Sequence, residues 1–389
     1  MDDFFSKIMT TVSFSSLIGF ILSNCGYPAM LGYMLSGCVM TYVGGGIYNI
    51  NTLLGESNII MLQEIALITL MFVTGLKTNL SRFFQISKQA LKFVLMQVIF
   101  SIITIICIYQ LYGKEIIIRI IFMLFLTLNS TAAAVNILEN FNKLNTLKGS
   151  FIVCILIIQD VIFMITIAML KNTIAGVSPL VMIGNLCLVL SLLCGIVIFL
   201  RSRFVYGLSK ILHKFVNRNF EIVCTIVITL LIIVGSILEL LSISASLGGF
   251  ILGLILGNIG EEKKFYASIA PFNAIMMLLF FVVIGSKLDL NFILQHSIIV
   301  WSCTILIVAH KIGMNWWIAN ILCIEDSLSI AFILSQLSEF GFILVIFINQ
   351  IETDTFLSIF MENMIIISLS IGSLFTIVSK SYLYKKGIM

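Results

Sequence analysis

Apolar segments long enough to cross a bilayer follow one another along almost the whole chain, with only short polar turns between them. A helix needs about 20 apolar residues to span the hydrocarbon core, and no backbone hydrogen bond can be left open there. About 13 segments are read, at roughly 8–23, 28–43, 58–76, 89–112, 116–136, 146–170, 179–200, 221–240, 243–258, 267–286, 291–311, 327–349 and 356–379. The expected fold is therefore an all-α polytopic membrane protein. Composition agrees: 60% of residues are hydrophobic and 10% charged, against about 25% charged in soluble domains. No linker or low-complexity tract divides the chain, so residues 1–389 read as a single membrane domain. The first segment, Ile8 to Leu22, lacks a basic leader and a small-residue cleavage site, and is expected to be a retained span. Nine cysteines form no C-x-x-C pair and no Cys/His cluster, which argues against a disulfide framework or a structural metal. No cofactor and no nucleic-acid partner are expected; the partner is the lipid bilayer.

The basic residues orient the chain. Lys77, Arg82, Lys88 and Lys92 border the third loop, Lys143 and Lys148 the fifth. Arg201, Arg203, Lys210, Lys214 and Arg218 fill the seventh, and Lys380, Lys385 and Lys386 lie in the tail. With about 13 spans all of these fall on one side, so the positive-inside rule puts the N-terminus outside and the C-terminus in the cytoplasm.

One residue breaks the apolar pattern at its most costly point. Asp160, preceded by Gln159, stands in the middle of SFIVCILIIQDVIFMITIAML, Ser150 to Leu170. A carboxylate at the bilayer midplane costs on the order of 3 kcal/mol on translocon scales, so it is kept where it faces a wet cavity or a bound cation.

The sequence also repeats. Leu31-Gly32-Tyr33-Met34-Leu35-Ser36-Gly37 matches Leu247-Gly248-Gly249-Phe250-Ile251-Leu252-Gly253. Val73-Thr74-Gly75-Leu76-Lys77-Thr78-Asn79-Leu80 matches Val283-Ile284-Gly285-Ser286-Lys287-Leu288-Asp289-Leu290. Both pairs are seven spans apart, an odd number, so the two copies face opposite sides of the membrane. That is the signature of inverted-topology repeats. Repeat one is expected over about 8–170, a linking helix over about 179–200, and repeat two over about 221–382. In such folds one helix of each repeat is unwound near the midplane. The two most polar intramembrane stretches sit at equivalent places: Thr127-Leu128-Asn129-Ser130-Thr131 through Asn136, and Leu334-Ser335-Gln336-Leu337-Ser338-Glu339-Phe340-Gly341. Two broken helices are expected there, crossing beside Asp160.

These residues resemble the membrane domain of Kef-type cation/proton antiporters, the second branch of the monovalent cation:proton antiporter superfamily. The likeness is carried by Gln159-Asp160, by Asn129-Ser130-Thr131-Ala132, and by Ser335-Gln336 with Glu339-Phe340. Pro271-Phe272, Phe280-Phe281-Val282 with Gly285, and Pro28 through Leu31-Gly32-Tyr33 to Gly37 add to it. The resemblance implies a prokaryotic plasma membrane, a homodimer, and exchange of K⁺ or Na⁺ for protons. The nucleotide-binding domain of the glutathione-gated members is not found before Met389, so glutathione control is not expected to carry over, and a separate cytoplasmic regulatory subunit is a further candidate partner. Electrogenic relatives carry two consecutive aspartates where this chain has Gln159 and Asp160.

Asp160 is expected to bind cation and proton in competition, with Gln159 as neutral neighbour and Asn129, Ser130 and Thr131 supplying further oxygens. Ser335, Gln336 and Glu339 belong to the second broken helix, Glu339 as a compensator of a helix end. Lys311, after TILIVAH, reads either as the core lysine of some relatives or as an interfacial lysine with its head in water. The rival function is a potassium channel of the same fold. An intramembrane enzyme would need a catalytic partner for Asp160 and is not expected.

Overall fold

A computed structural model describes residues 2–25, 27–43, 55–77, 80–109, 116–141, 143–144, 146–174, 220–240, 245–258, 262–351 and 355–385. In chain order the helices are α1 (Asp2–Asn24), α2 (Ala29–Val43), α3 (Glu56–Lys77), α4 (Leu80–Tyr109) and α5 (Ile116–Thr127). Then come α6 (Thr131–Asn140), α7 (Leu147–Ile174), α8 (Phe220–Leu240), α9 (Ala245–Leu256) and α10 (Glu262–Ser286). The rest are α11 (Leu290–Gln295), α12 (Ser297–Ile321), α13 (Ser327–Ile333), α14 (Gly341–Ile351) and α15 (Thr355–Lys385). The expected linking helix at 179–200 and the basic loop that follows it lie outside the described residues. Among the described residues, seven helices are long and apolar enough to cross a membrane. The α5–α6 and α13–α14 segments are not among them, because each is interrupted.

The contacts divide the chain into two compact units. The first comprises Met1–Gln63, Gln89–Lys143 and Met277–Met389. In it α1 packs against α2 at two glycines, Gly19 and Gly32, where neither helix has room for a side chain. The Ser36 and Ser15 hydroxyls bond across that crossing at 2.7 Å. Such small-residue contacts substitute for the hydrophobic effect, which does not drive helices together in lipid. Beyond α10, the Tyr42 hydroxyl donates to the Leu288 carbonyl at 3.2 Å and accepts from the Leu290 N–H at 2.5 Å. The Asn363 side chain accepts from the Asp289 N–H at 3.0 Å, so α2 and α15 together hold the turn into α11.

The second unit comprises Glu64–Lys88 and Leu144–Met276. Its core joins Phe72, Val73 and Leu76 of α3 to Val223, Val227 and Leu231 of α8, Leu252 and Leu256 of α9, and Phe265 and Ile269 of α10. Large hydrophobic side chains are exposed on both units, for example Phe20, Ile106, Ile232 and Leu306.

Glycine sets the closest helix approaches. In the first unit a Cβ on Gly37 of α2 would overlap the Val282 carbonyl oxygen of α10, and one on Gly285 of α10 would overlap that of Met34. In the second unit a Cβ on Gly75 of α3 would overlap the Phe250 carbonyl of α9, and one on Gly253 of α9 that of Phe72.

Candidate functional site

The first unit contains a crossing of two interrupted helices. α5 ends at Thr127, Leu128 to Ser130 are extended, and α6 begins at Thr131. α13 ends at Ile333 and α14 begins at Gly341. The unwound stretches meet back to back as an isolated antiparallel bridge between Asn129 and Leu337, and the Ser130 N–H donates to the Gln336 carbonyl at 3.3 Å. No other strand pairing occurs among the described residues. Asn129, Ser130, Thr131, Ser335, Gln336 and Glu339 are all buried. Of the residues expected at a site, the fold brings these six together with Lys311.

Breaking a helix inside a membrane frees backbone groups that water cannot reach, so the ends need partners from the protein. Each C-terminal end is met by α12. Lys311 donates its ammonium to the Leu128 carbonyl, just past the end of α5. One turn on, the Asn315 Nδ2 donates to the Leu334 carbonyl, just past the end of α13, at 2.7 Å. The Gln97 Nε2 of α4 in turn donates to the Asn315 Oδ1 at 2.7 Å. All three side chains are fully buried. The negative end of α5 is thus met by a cation and that of α13 by a neutral amide.

The N-terminal ends are met by oxygens. Ser130 caps α6, its hydroxyl accepting from the Ala133 N–H at 3.2 Å. The Glu339 Oε1 accepts from the Ala132 N–H at 3.1 Å, which puts a carboxylate on the positive end of α6. At α14 the Ser338 hydroxyl accepts from the Phe340 N–H at 3.2 Å. The Ser368 hydroxyl of α15 accepts from the Leu337 N–H at 3.0 Å.

Lys311 lies inside α12 and is fully buried. The helix continues through Gly313 to Ile321. The apolar run stopped near Lys311 because Asn315 and Lys311 are polar residues that turn inward to carbonyls. Sequence reading missed Asn315, Gln97 and Ser368. The signal was available in part: Lys311 and Asn315 are four apart, on one face of an apolar helix.

Gln159 and Asp160 belong to the second unit. They sit at the middle of α7, the most enclosed of the long apolar helices among the described residues. Gln159 is 1% exposed and Asp160 3%. The residues one turn before them, Cys154, Ile155 and Leu156, are fully buried. Among the described residues no three His, Cys, Asp or Glu side chains gather as a divalent metal site would require.

Known proteins share both sequence and fold with this chain. Over 306 residues it is 23% identical to the glutathione-regulated potassium-efflux system protein KefC of Shigella flexneri, covering 77% of this chain and 48% of that protein. It is 22% identical over 354 residues to K(+) efflux antiporter 5 of Arabidopsis thaliana, covering 87% of this chain and 60% of that one. The chain thus spans about half the length of the KefC proteins it matches. The structure of the sodium proton antiporter MjNhaP1 from Methanocaldococcus jannaschii superimposes with a TM-score of 0.66 at 13% identity, covering 97% of this chain and 98% of that one. The transmembrane sodium/hydrogen exchanger model matches residues 10–380. With Kef-type relatives, the fold of an antiporter and a family match over nearly its whole length, the chain belongs to the sodium/hydrogen exchanger family of integral membrane proteins.

Proposed function

We propose that this protein exchanges a monovalent cation, K⁺ or Na⁺, for protons by alternating access, with Asp160 as the one carboxylate that binds both. The observation that carries the reading is a carboxylate 3% exposed at the centre of a membrane-spanning helix in a chain of this family. A buried charge is costly in hydrocarbon. Loaded with either a proton or a monovalent cation, Asp160 is neutral and the protein can reorient. Empty, it is held in place by its desolvation cost. Exchange follows without a separate gate. Gln159 is the neutral neighbour that replaces a second charge. Asn129, Ser130 and Thr131 offer hydroxyl, amide and backbone oxygens to the cation as it passes.

The glycine contacts support the inverted repeats. Gly37 and Met34 have their repeat equivalents at Gly253 and Phe250, and Val282 and Gly285 have theirs at Phe72 and Gly75. Exchanging each residue for its equivalent turns Gly37 against Val282 into Gly253 against Phe72, and Gly285 against Met34 into Gly75 against Phe250. All four contacts occur. The equivalent lysines behave alike too: Lys77 lies over the Tyr266 ring at 4.1 Å and Lys287 over that of Phe342 at 4.9 Å.

Homodimer formation, a separate cytoplasmic regulatory subunit and the outside-to-cytoplasm orientation stay part of this proposal. Purified protein in sealed vesicles with an internal pH dye tests the exchange. Adding K⁺ or Na⁺ should move protons in the opposite direction, saturably and with the potential clamped at zero. Cation flux driven by potential with no proton movement would instead make the protein a channel.

A further inference from the structure

We propose that the Gln336 carboxamide oxygen is a neutral ligand for the transported monovalent cation, placed on the α13–α14 break of the first unit; this rests on the exchange reading above. The break is otherwise well satisfied. The Ser335 hydroxyl donates to the Phe332 carbonyl at 2.7 Å, the Leu337 N–H goes to Ser368, and the Gln336 carbonyl accepts from Ser130. The Gln336 side chain is different. It is 2% exposed, and neither its Nε2 nor its Oε1 has a hydrogen-bond partner among the described residues. Leaving a buried amide unmade costs about 1–3 kcal/mol per group. A sequence this apolar could place Leu or Met there at no such cost, and the cation is the partner this proposal gives the amide.

Two further features fit a cation. Gly372 of α15 leaves a notch in which the Gln336 amide lies, since a Cβ at Gly372 would overlap its Cδ and Nε2. Gly372 stands one turn beyond Ser368, which fixes the backbone of the next residue, so the amide is seated and not adrift. The end of α13 that leads into residues 334–336 is met by the neutral Asn315, whereas Lys311 places a cation on the end of α5. The α13 side of the crossing therefore keeps its negative partial charge. Three residues on, the Glu339 Oε2 also lacks a hydrogen-bond partner among the described residues. A carboxamide oxygen does not titrate. It strips part of the hydration shell of an alkali cation as a carbonyl dipole does, and it leaves the proton half of the cycle untouched.

The experiment pairs transport with direct detection of the ion. In vesicles holding the full chain, Gln336→Leu should raise the apparent KM for K⁺ or Na⁺ by about tenfold, a ΔΔG of about 1.4 kcal/mol. The maximal rate at saturating cation, and its pH dependence, should stay within about twofold. A drop in maximal rate with KM unchanged would make Gln336 a structural residue and overturn the assignment. Should Gln336→Leu not fold, crystals of the wild-type protein grown in Tl⁺ decide. Anomalous scattering beside the Gln336 Oε1 supports the ligand, and an amide bonded only to water or protein overturns it. Wild-type cation flux without proton movement would defeat the underlying exchange reading while leaving the Tl⁺ peak in place. Loss of exchange in Asp160→Asn with no Tl⁺ peak defeats only this inference.

Discussion

Replacing Asn315 by leucine tests how the second broken helix is held. Asn315 makes two hydrogen bonds of 2.7 Å, one to the Leu334 carbonyl and one from the Gln97 Nε2, and is fully buried. Leucine matches its volume and makes neither bond, so two buried polar groups lose a partner. At about 1–3 kcal/mol for each, Asn315→Leu should cost about 2–6 kcal/mol, a large part of the stability of an ordinary domain. Gln97→Leu takes its partner from the Asn315 Oδ1, at about 1–3 kcal/mol for that group. In the double variant neither the Gln97 Nε2 nor the Asn315 Oδ1 remains to be stranded, so its cost should fall short of the sum of the two single costs by about 1–3 kcal/mol for each of those groups. The assay is thermal unfolding of the detergent-purified proteins, scanned at one rate and read by intrinsic fluorescence. Strict additivity of the two single costs in the double variant would refute the chain from Gln97 through Asn315 to the end of α13.

Three further outcomes follow from the same geometry. Gly253→Ala and Gly37→Ala should each unfold at lower temperature, by more than 1 kcal/mol equivalent on the scale of overpacking costs, because each new methyl meets a backbone carbonyl that cannot move aside. Gly313→Ala should be neutral or stabilising by up to about 1 kcal/mol, since nothing lies within 4 Å of a Cβ there and α12 gains helix propensity; a cost equal to that of Gly253→Ala would undo the packing argument. Glu339→Gln keeps an acceptor for the Ala132 N–H but removes the charge from the start of α6, and should cost about 0.3–2 kcal/mol in thermal unfolding. Glu339→Leu, which removes the acceptor as well, should cost more, and equal costs for the two would show that the hydrogen bond contributes nothing.

The membrane class was legible because the bilayer demands apolar runs, and few other environments tolerate 10% charge over 389 residues. The breaks were legible as well. Unwinding in hydrocarbon has to be supported by small polar residues, and Asn129-Ser130-Thr131 and Ser335-Gln336 stand out against an apolar background. What holds the breaks was harder to read. Lys311 and Asn315 ended an apolar run, and a hydropathy window cannot tell a polar residue that meets water from one that meets a buried carbonyl. Gln97 and Ser368 lie far from the breaks in sequence, and only the three-dimensional crossing brings them close. The glycine contacts show the reverse case: the repeated Gly positions were visible early, and their meaning as close approaches between helices needed the coordinates.

The central claim rests on Asp160 as the shared binding group, and Asp160→Asn tests it most directly. Asparagine keeps the size and hydrogen-bonding capacity but cannot take up a proton or balance a cation. Purified Asp160→Asn protein that unfolds at or above the wild-type temperature should exchange no protons for K⁺ or Na⁺ in sealed vesicles across the whole pH range. Cation-driven proton movement at the wild-type rate in such a protein would contradict the mechanism and move the exchange chemistry away from α7.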